Sequence, residues 1–252
     1  TMLLLVIGLG GWVYFITTRE ALLHAESFFF RRMTATQLTE PGQYRFYFST
    51  NRNTPDDQAE LPLRFDNQRV ADLTLGTFDA DIQPSLGLGM LANPTEWLQN
   101  EEIDLLDIRP TEKQQVVQEL REAVTRSPHG AVLVVLHGFR EAHESALRKT
   151  AFLGHVLDVD APLLLFDWPG DQGSGLRAYR RAYRVATDSA AELAATLQLL
   201  VDEVEPEQIW LLANSMGAQV VVKAFDLMYR ERPAPGHASS AKELPITHVV
   251  LT

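Results

Sequence analysis

The chain has no cysteine. Disulfides, thiolate metal sites and cysteine nucleophiles are therefore excluded, and any nucleophile must be an oxygen or an amine. Basic residues are scarce: 22 Lys and Arg stand against 33 Asp and Glu, for a formal net charge of −11. A phosphate-backbone binder needs a basic face, so nucleic acid is not expected as a partner. There is no Gly-rich phosphate loop carrying Lys-Ser/Thr, and the acidic residues, Asp158 and Asp160 among them, lack metal-ligand spacing, so neither a metal nor a cofactor is expected. What remains over 252 residues, 46% of them apolar, is the composition of a globular protein.

One long apolar run stands out. Met2–Thr18, MLLLVIGLGGWVYFITT, has no charge before Arg19, and about 17 residues at about 1.5 Å each cross most of a bilayer. We read it as a single transmembrane anchor, with Trp12 and Tyr14 near its outer edge. A cleaved signal peptide is the second reading, although no basic leader or A-x-A site is visible. The expected location is the membrane; Arg19, Arg31 and Arg32 would put the following domain in the cytoplasm if nothing basic precedes the run, and the side stays open. At the other end Ile246–Leu251, ITHVVL, is a strand-like run that stops at Thr252, as in a fragment.

Four segments follow: the anchor (1–18), a linker (19–43), a β-rich segment (44–110) and a regular core (111–252). The β-rich segment has short alternating runs, Tyr44 to Phe48 and Asp72 to Leu75, between turn-forming stretches such as 51–60 and 86–94. The core opens with a capping box at Thr111 and Gln114, then a helix with Val116, Val117, Leu120, Ala123 and Val124 on one face. Strands are predicted at AVLVVL (131–136), PLLLF (162–166), QIWLL (208–212) and the terminal run. Helices alternate with them: one through Ala146, Thr150, Leu153 and Leu157, one through Leu193, Leu197, Leu200 and Val204, and one from Met216 to Tyr229. Apolar strands alternating with amphipathic helices predict an α/β fold, a mostly parallel sheet covered on both faces and incomplete at its C-terminal edge. Ligands of such sheets bind beyond the carboxyl ends of the strands.

Three strand ends carry polar or glycine-rich turns: His137-Gly138-Phe139-Arg140, Asp167-Trp168-Pro169-Gly170 and Ala213-Asn214-Ser215-Met216-Gly217. The last has the form small-x-Ser-x-Gly between a strand and a helix, a nucleophile elbow that holds the serine hydroxyl above the sheet. Ala213 and Gly217 are the small residues that let strand and helix pass closely. The Met216 N–H, in the first turn of the helix, is one expected oxyanion donor. The second is the Phe139 N–H, in a loop where Gly138 permits close approach. His137 is read as a residue that ties neighbouring loops, not as the base.

Those segments, LVVLHGFREAHESALRKTAFL, LLLFDWPGDQGSGLRAYRRAYRVATDSAAELAATLQLL and IWLLANSMGAQVV, resemble signature segments of the DUF900 family of α/β-hydrolases, esterase- and lipase-like proteins of bacteria. FYFSTNRN and FDNQRVADLTLGTFDADI resemble its upstream segments. The resemblance implies an α/β-hydrolase fold with Ser215 as nucleophile and Met216 and Phe139 as oxyanion donors; it names no substrate, and we read a small-molecule or lipid ester as the expected one. Asn214 stands where family members carry His before the serine. The family pattern also implies an acid and a later histidine beyond residue 252. A catalytically inactive binding or scaffold module at the membrane, and a thioesterase or amidase, are the alternative functions.

The remaining candidates have plainer readings. His237 lies in a polar loop, and His248 lies within a strand. GDQGSG (170–175) is read as a loop shaping the pocket mouth, and Asp188, Ser189 and Glu192 as a helix start, the last two forming a capping box. Arg177, Arg180, Arg181 and Arg184 form a basic run at helical spacing, by default a solvated face.

Overall fold

The computed structural model describes residues 33–54, 65–82, 103–230 and 244–252. The anchor run, the 86–94 loop, His237 and most of the 51–60 loop lie outside these residues. Among the described residues no helix is long and apolar enough to cross a membrane.

Seven strands form one sheet in the order β3-β2-β1-β5-β4-β6-β7. β1 (Gln43–Arg52), β2 (Arg69–Ile82) and β3 (Ile103–Pro110) make an antiparallel meander. It joins the parallel half through β1, which pairs with β5 (Leu163–Asp167). β4 (Ala131–Leu136) lies between β5 and β6 (Gln208–Ala213), and β7 (Ile246–Leu251) pairs in parallel with β6. The helices are α1 (Lys113–Arg126), α2 (His143–Leu157), α3 (Gly175–Asp188), α4 (Ala190–Leu199), continued by a π-helical turn at Leu200–Val204, and α5 (Met216–Arg230).

Side chains of a strand alternate between faces, so β4, buried on both, serves two cores. Val132, Val134 and Leu136 pack with Leu120 of α1, Ala182 of α3, Leu193 and Leu197 of α4 and Val220 of α5. Leu133 and Val135 pack on the opposite side with Ala146, Leu147 and Ala151 of α2 and with Phe46 and Phe48 of β1. Burial of a large apolar side chain contributes about 1.5–3 kcal/mol, and this two-sided apolar layer holds the polar strand ends in fixed positions.

Two predicted helix starts differ from the structure. The cap of α1 is Glu112, without a side-chain cap hydrogen bond, and the Thr111 hydroxyl donates instead to Arg109 O (3.3 Å). Ser189 is helical (φ −77°) between α3 and α4, so it cannot open a capping box with Glu192. Its hydroxyl donates to Val185 O and accepts from Asn51 Nδ2, while the Glu192 carboxylate takes Arg69 (2.5 Å) and Asn51 (3.3 Å). Tertiary partners on β1 and β2 claim both side chains.

Candidate active site

β6 ends at Ala213, buried and in register with Leu136 of β4. The chain then turns sharply. Asn214 N–H donates to Leu136 O (3.0 Å), and Ser215 adopts φ 52°, a left-handed conformation costing an L-residue roughly 1–2 kcal/mol. α5 begins at the next residue, Met216. This turn is held from both sides, by Gly217 N–H on Asn214 O (2.8 Å) and by Ser215 N–H on Thr252 O (2.6 Å). Gly217 is required by contact: a Cβ there would lie 2.6 Å from His137 O and 3.1 Å from Leu136 O, both backbone atoms. Strand, turn and helix together hold an exposed Ser215 above the sheet in backbone strain of the kind that functional turns store.

The loop after β4 lies against this elbow. A Cβ on Gly138 would sit 3.2 Å from Ser215 Cβ and 3.2 Å from Asn214 Oδ1, so the two loops touch. Among the described residues neither the Met216 N–H nor the Phe139 N–H donates a hydrogen bond, whereas the next amide, Arg140 N–H, is spent on Gly170 O (2.9 Å). One unspent donor thus follows the serine at a helix N-terminus, and the other lies in the loop that touches the elbow. Ser215 Oγ itself makes no hydrogen bond among the described residues.

His137 is engaged away from the serine. Its ring stacks on Trp168 (centroids 5.4 Å apart, 8° between planes), with Nδ1 3.0 Å from Gly138 O and Nε2 2.9 Å from Asp167 Oδ1. His248 lies beside Trp210 in the β6–β7 register, with Nδ1 against the Thr247 hydroxyl. The five residues of strand from Trp210 to Ser215 put it roughly 15 Å from the serine, out of proton-transfer range. Arg177, Arg180 and Arg184 lie exposed on α3. GDQGSG runs from the turn after β5 to the start of α3, and Gly170 approaches the loop after β4 so closely that a Cβ would meet Gly138 O at 2.7 Å. Among the described residues no group of three side chains could hold a metal ion.

The sequence reading missed the group that braces the loop after β4. Asp167, at the end of β5 and fully buried, accepts from Arg52 Nε (2.8 Å), His143 Nδ1 (2.6 Å) and Thr50 Oγ1 (3.1 Å) in addition to facing His137. A register shift between Thr50 and Arg52 lies at this end of β1, where both side chains reach the same carboxylate. Arg52 extends the brace through Asn67 Oδ1 (2.6 Å), Glu141 O (2.8 Å) and Trp168 O (2.9 Å), and the Trp168 indole N–H donates to His137 O (3.0 Å). Burial alone would push the Asp167 pKa up. Arg52, His143 and the hydrogen bonds from His137 and His143 outweigh it and hold the carboxyl well below the usual carboxylate range. The available signal was a single charged residue, Asp167, closing the otherwise apolar strand LLLFD, and a buried Arg52 at the end of β1.

The arrangement can therefore present a strained, exposed hydroxyl beside two unspent amide donors, with a rigid ionic network beneath the loop that carries one of them. Residues 112–252 match the profile of a family described as alpha/beta hydrolase of unknown function (DUF900). No curated protein and no solved structure shows detectable similarity. The match covers more than half of the chain and includes the elbow, the loop after β4 and the parallel strands that carry them, and the chain belongs to the DUF900 family of α/β-hydrolases.

Proposed function

We propose that the protein is a serine hydrolase acting on carboxylic esters by acyl transfer. The observation that carries this reading is Ser215 at φ 52° between β6 and α5, exposed beside the undonated N–H groups of Met216 and Phe139. Its hydroxyl oxygen attacks the ester carbonyl and its proton passes to a general base. The two amides receive the charge that develops on the carbonyl oxygen, a contribution of about 3–4 kcal/mol per donor in enzymes of this kind. The tetrahedral intermediate collapses as the alcohol leaves with a proton, and water then releases the acid from the acyl-serine. In this fold the acid and histidine follow the nucleophile in chain order, and the reading assigns them to chain beyond Thr252.

The same reading keeps Met2–Thr18 as an anchor, so that the hydrolase works at a membrane. The full-length polypeptide is the proper test. Fluorophosphonate labelling and p-nitrophenyl ester turnover are both expected, and both are abolished by Ser215→Ala. Undiminished turnover in that variant would falsify the assignment. Thioesters and amides, offered in parallel, measure which leaving group the site prefers. An inactive binding module is favoured by the Ser215 hydroxyl having no hydrogen-bonded base among the described residues. That reading predicts neither labelling nor turnover from the full-length chain.

A further inference from the structure

α3 is built in three stripes. Ala178, Ala182 and Ala186, four residues apart, form its buried face. Next to them Leu176, Tyr179 and Tyr183 are 67%, 48% and 44% exposed. Arg177, Arg180, Arg181 and Arg184 follow around the helix at about 100° per residue. Arg181 donates to Gln172 O, whereas Arg177, Arg180 and Arg184 form no ion pair among the described residues. No Asp or Glu lies between Asp171 and Asp188, on a chain whose net charge is −11. The apolar stripe also reaches the loop after β4, since the Tyr179 ring meets Phe139 edge-on at 5.5 Å between centroids.

A helix facing only water has no use for Leu and two Tyr between its buried and basic stripes. A lipid surface uses all three stripes: aromatic and aliphatic side chains enter the headgroup region, and the flanking arginines meet anionic phosphates. RNA would also attract the arginines, but it offers the exposed leucine no apolar phase to enter, whereas a bilayer does. We propose that α3 is an interfacial helix that docks the protein on an anionic lipid bilayer and turns the mouth of the Ser215 site toward it. The orientation of the site rests on the hydrolase reading; the docking does not.

The test uses the full-length Ser215→Ala protein, so that catalysis plays no part. Vesicles of equal parts phosphatidylglycerol and phosphatidylcholine are compared with pure phosphatidylcholine. Because the chain has no cysteine, Leu176→Cys carries a single environment-sensitive fluorophore that reports on α3 itself, whatever residues 2–18 do. The fluorophore is expected to brighten on the anionic vesicles only, and to be released by salt. The combined Arg177→Gln, Arg180→Gln and Arg184→Gln variant should weaken that response roughly 100-fold, at about one kcal/mol per arginine near a charged surface. Tyr183→Ser should weaken it roughly tenfold, as expected for one buried apolar side chain. An unchanged fluorophore signal, or a signal indifferent to the arginine substitutions, overturns the proposal, as does a response to polyuridylate equal to that on the anionic vesicles. Failure of fluorophosphonate labelling in the wild-type protein would remove the hydrolase reading and leave the docking result standing.

Discussion

Replacing Asp167 by Asn would withdraw one charge from the most enclosed ionic group among the described residues. Arg52 and Asp167 are both 0% exposed at the side chain, with Nε and Oδ2 2.8 Å apart. The other partners of the guanidinium are neutral: Asn67 Oδ1 and the backbone carbonyls of Asp66, Glu141 and Trp168. An asparagine would therefore leave a buried cation without a counter-charge, and its amide would face donors from Thr50, His137 or His143. Breaking a buried pair in this way costs about 3–5 kcal/mol, set against a total of about 5–15 kcal/mol for a domain. Urea unfolding followed by circular dichroism should show the midpoint drop by that free energy divided by the slope, with the slope unchanged. The double variant Arg52→Gln with Asp167→Asn should lose less than the two single losses added together, because no lone charge remains. The acid limb supplies an independent reading. The carboxyl is held well below its ordinary value when folded, so its stabilisation is fully present above the unfolded pKa of about 4 and is lost as pH falls through the folded value. Wild type should thus lose stability below about pH 4 more steeply than Asp167→Asn. A loss under about 1 kcal/mol, or equal acid slopes, would refute the view that this pair braces the loop.

Other perturbations address the elbow and its surroundings. Ser215→Gly should abolish fluorophosphonate labelling yet stabilise the fold by up to about 1 kcal/mol in thermal unfolding, because glycine accepts φ 52° without the left-handed penalty. Destabilisation of that variant would show the turn to be unstrained. Gly217→Ala should cost about 1–3 kcal/mol and impair labelling, since its Cβ meets His137 O at 2.6 Å and backbone has to move. A neutral result in urea would mean that the loop yields freely. Burial lowers the His155 pKa, with Asp158 opposing; the unfolded chain then binds more protons near and below pH 6.5, and stability falls as the pH is lowered there. His155→Gln should flatten that slope in unfolding curves taken between about pH 7 and 5; an unaltered slope would assign it to other groups.

The elements that local pattern determines were legible in the chain alone. Six apolar residues such as AVLVVL, with turn residues on either side, form a strand buried on both faces, and the elbow occupies one strand end, one turn and one helix start. Ser215, Met216 and Gly217 could be found because the spacing that makes the turn is contained in five residues. Arg52 and Asp167 could not be joined in this way, since 115 residues separate them and only the parallel register of β1 on β5, Thr50 opposite Asp167, brings them together. Ser189 and Glu192 show the reverse case: a local capping pattern was present, but Asn51 and Arg69, brought in by the antiparallel meander, gave both side chains other partners. The sequence by itself thus determined the parallel core strands, the helices other than α3 and the strained serine, which arise from contacts between near neighbours in the chain, whereas β3 and α3 were not predicted. The tertiary structure decided what braces the loop after β4 and which buried charges are paired, because hydrogen bonds between distant residues exist only once the strand order and register are set.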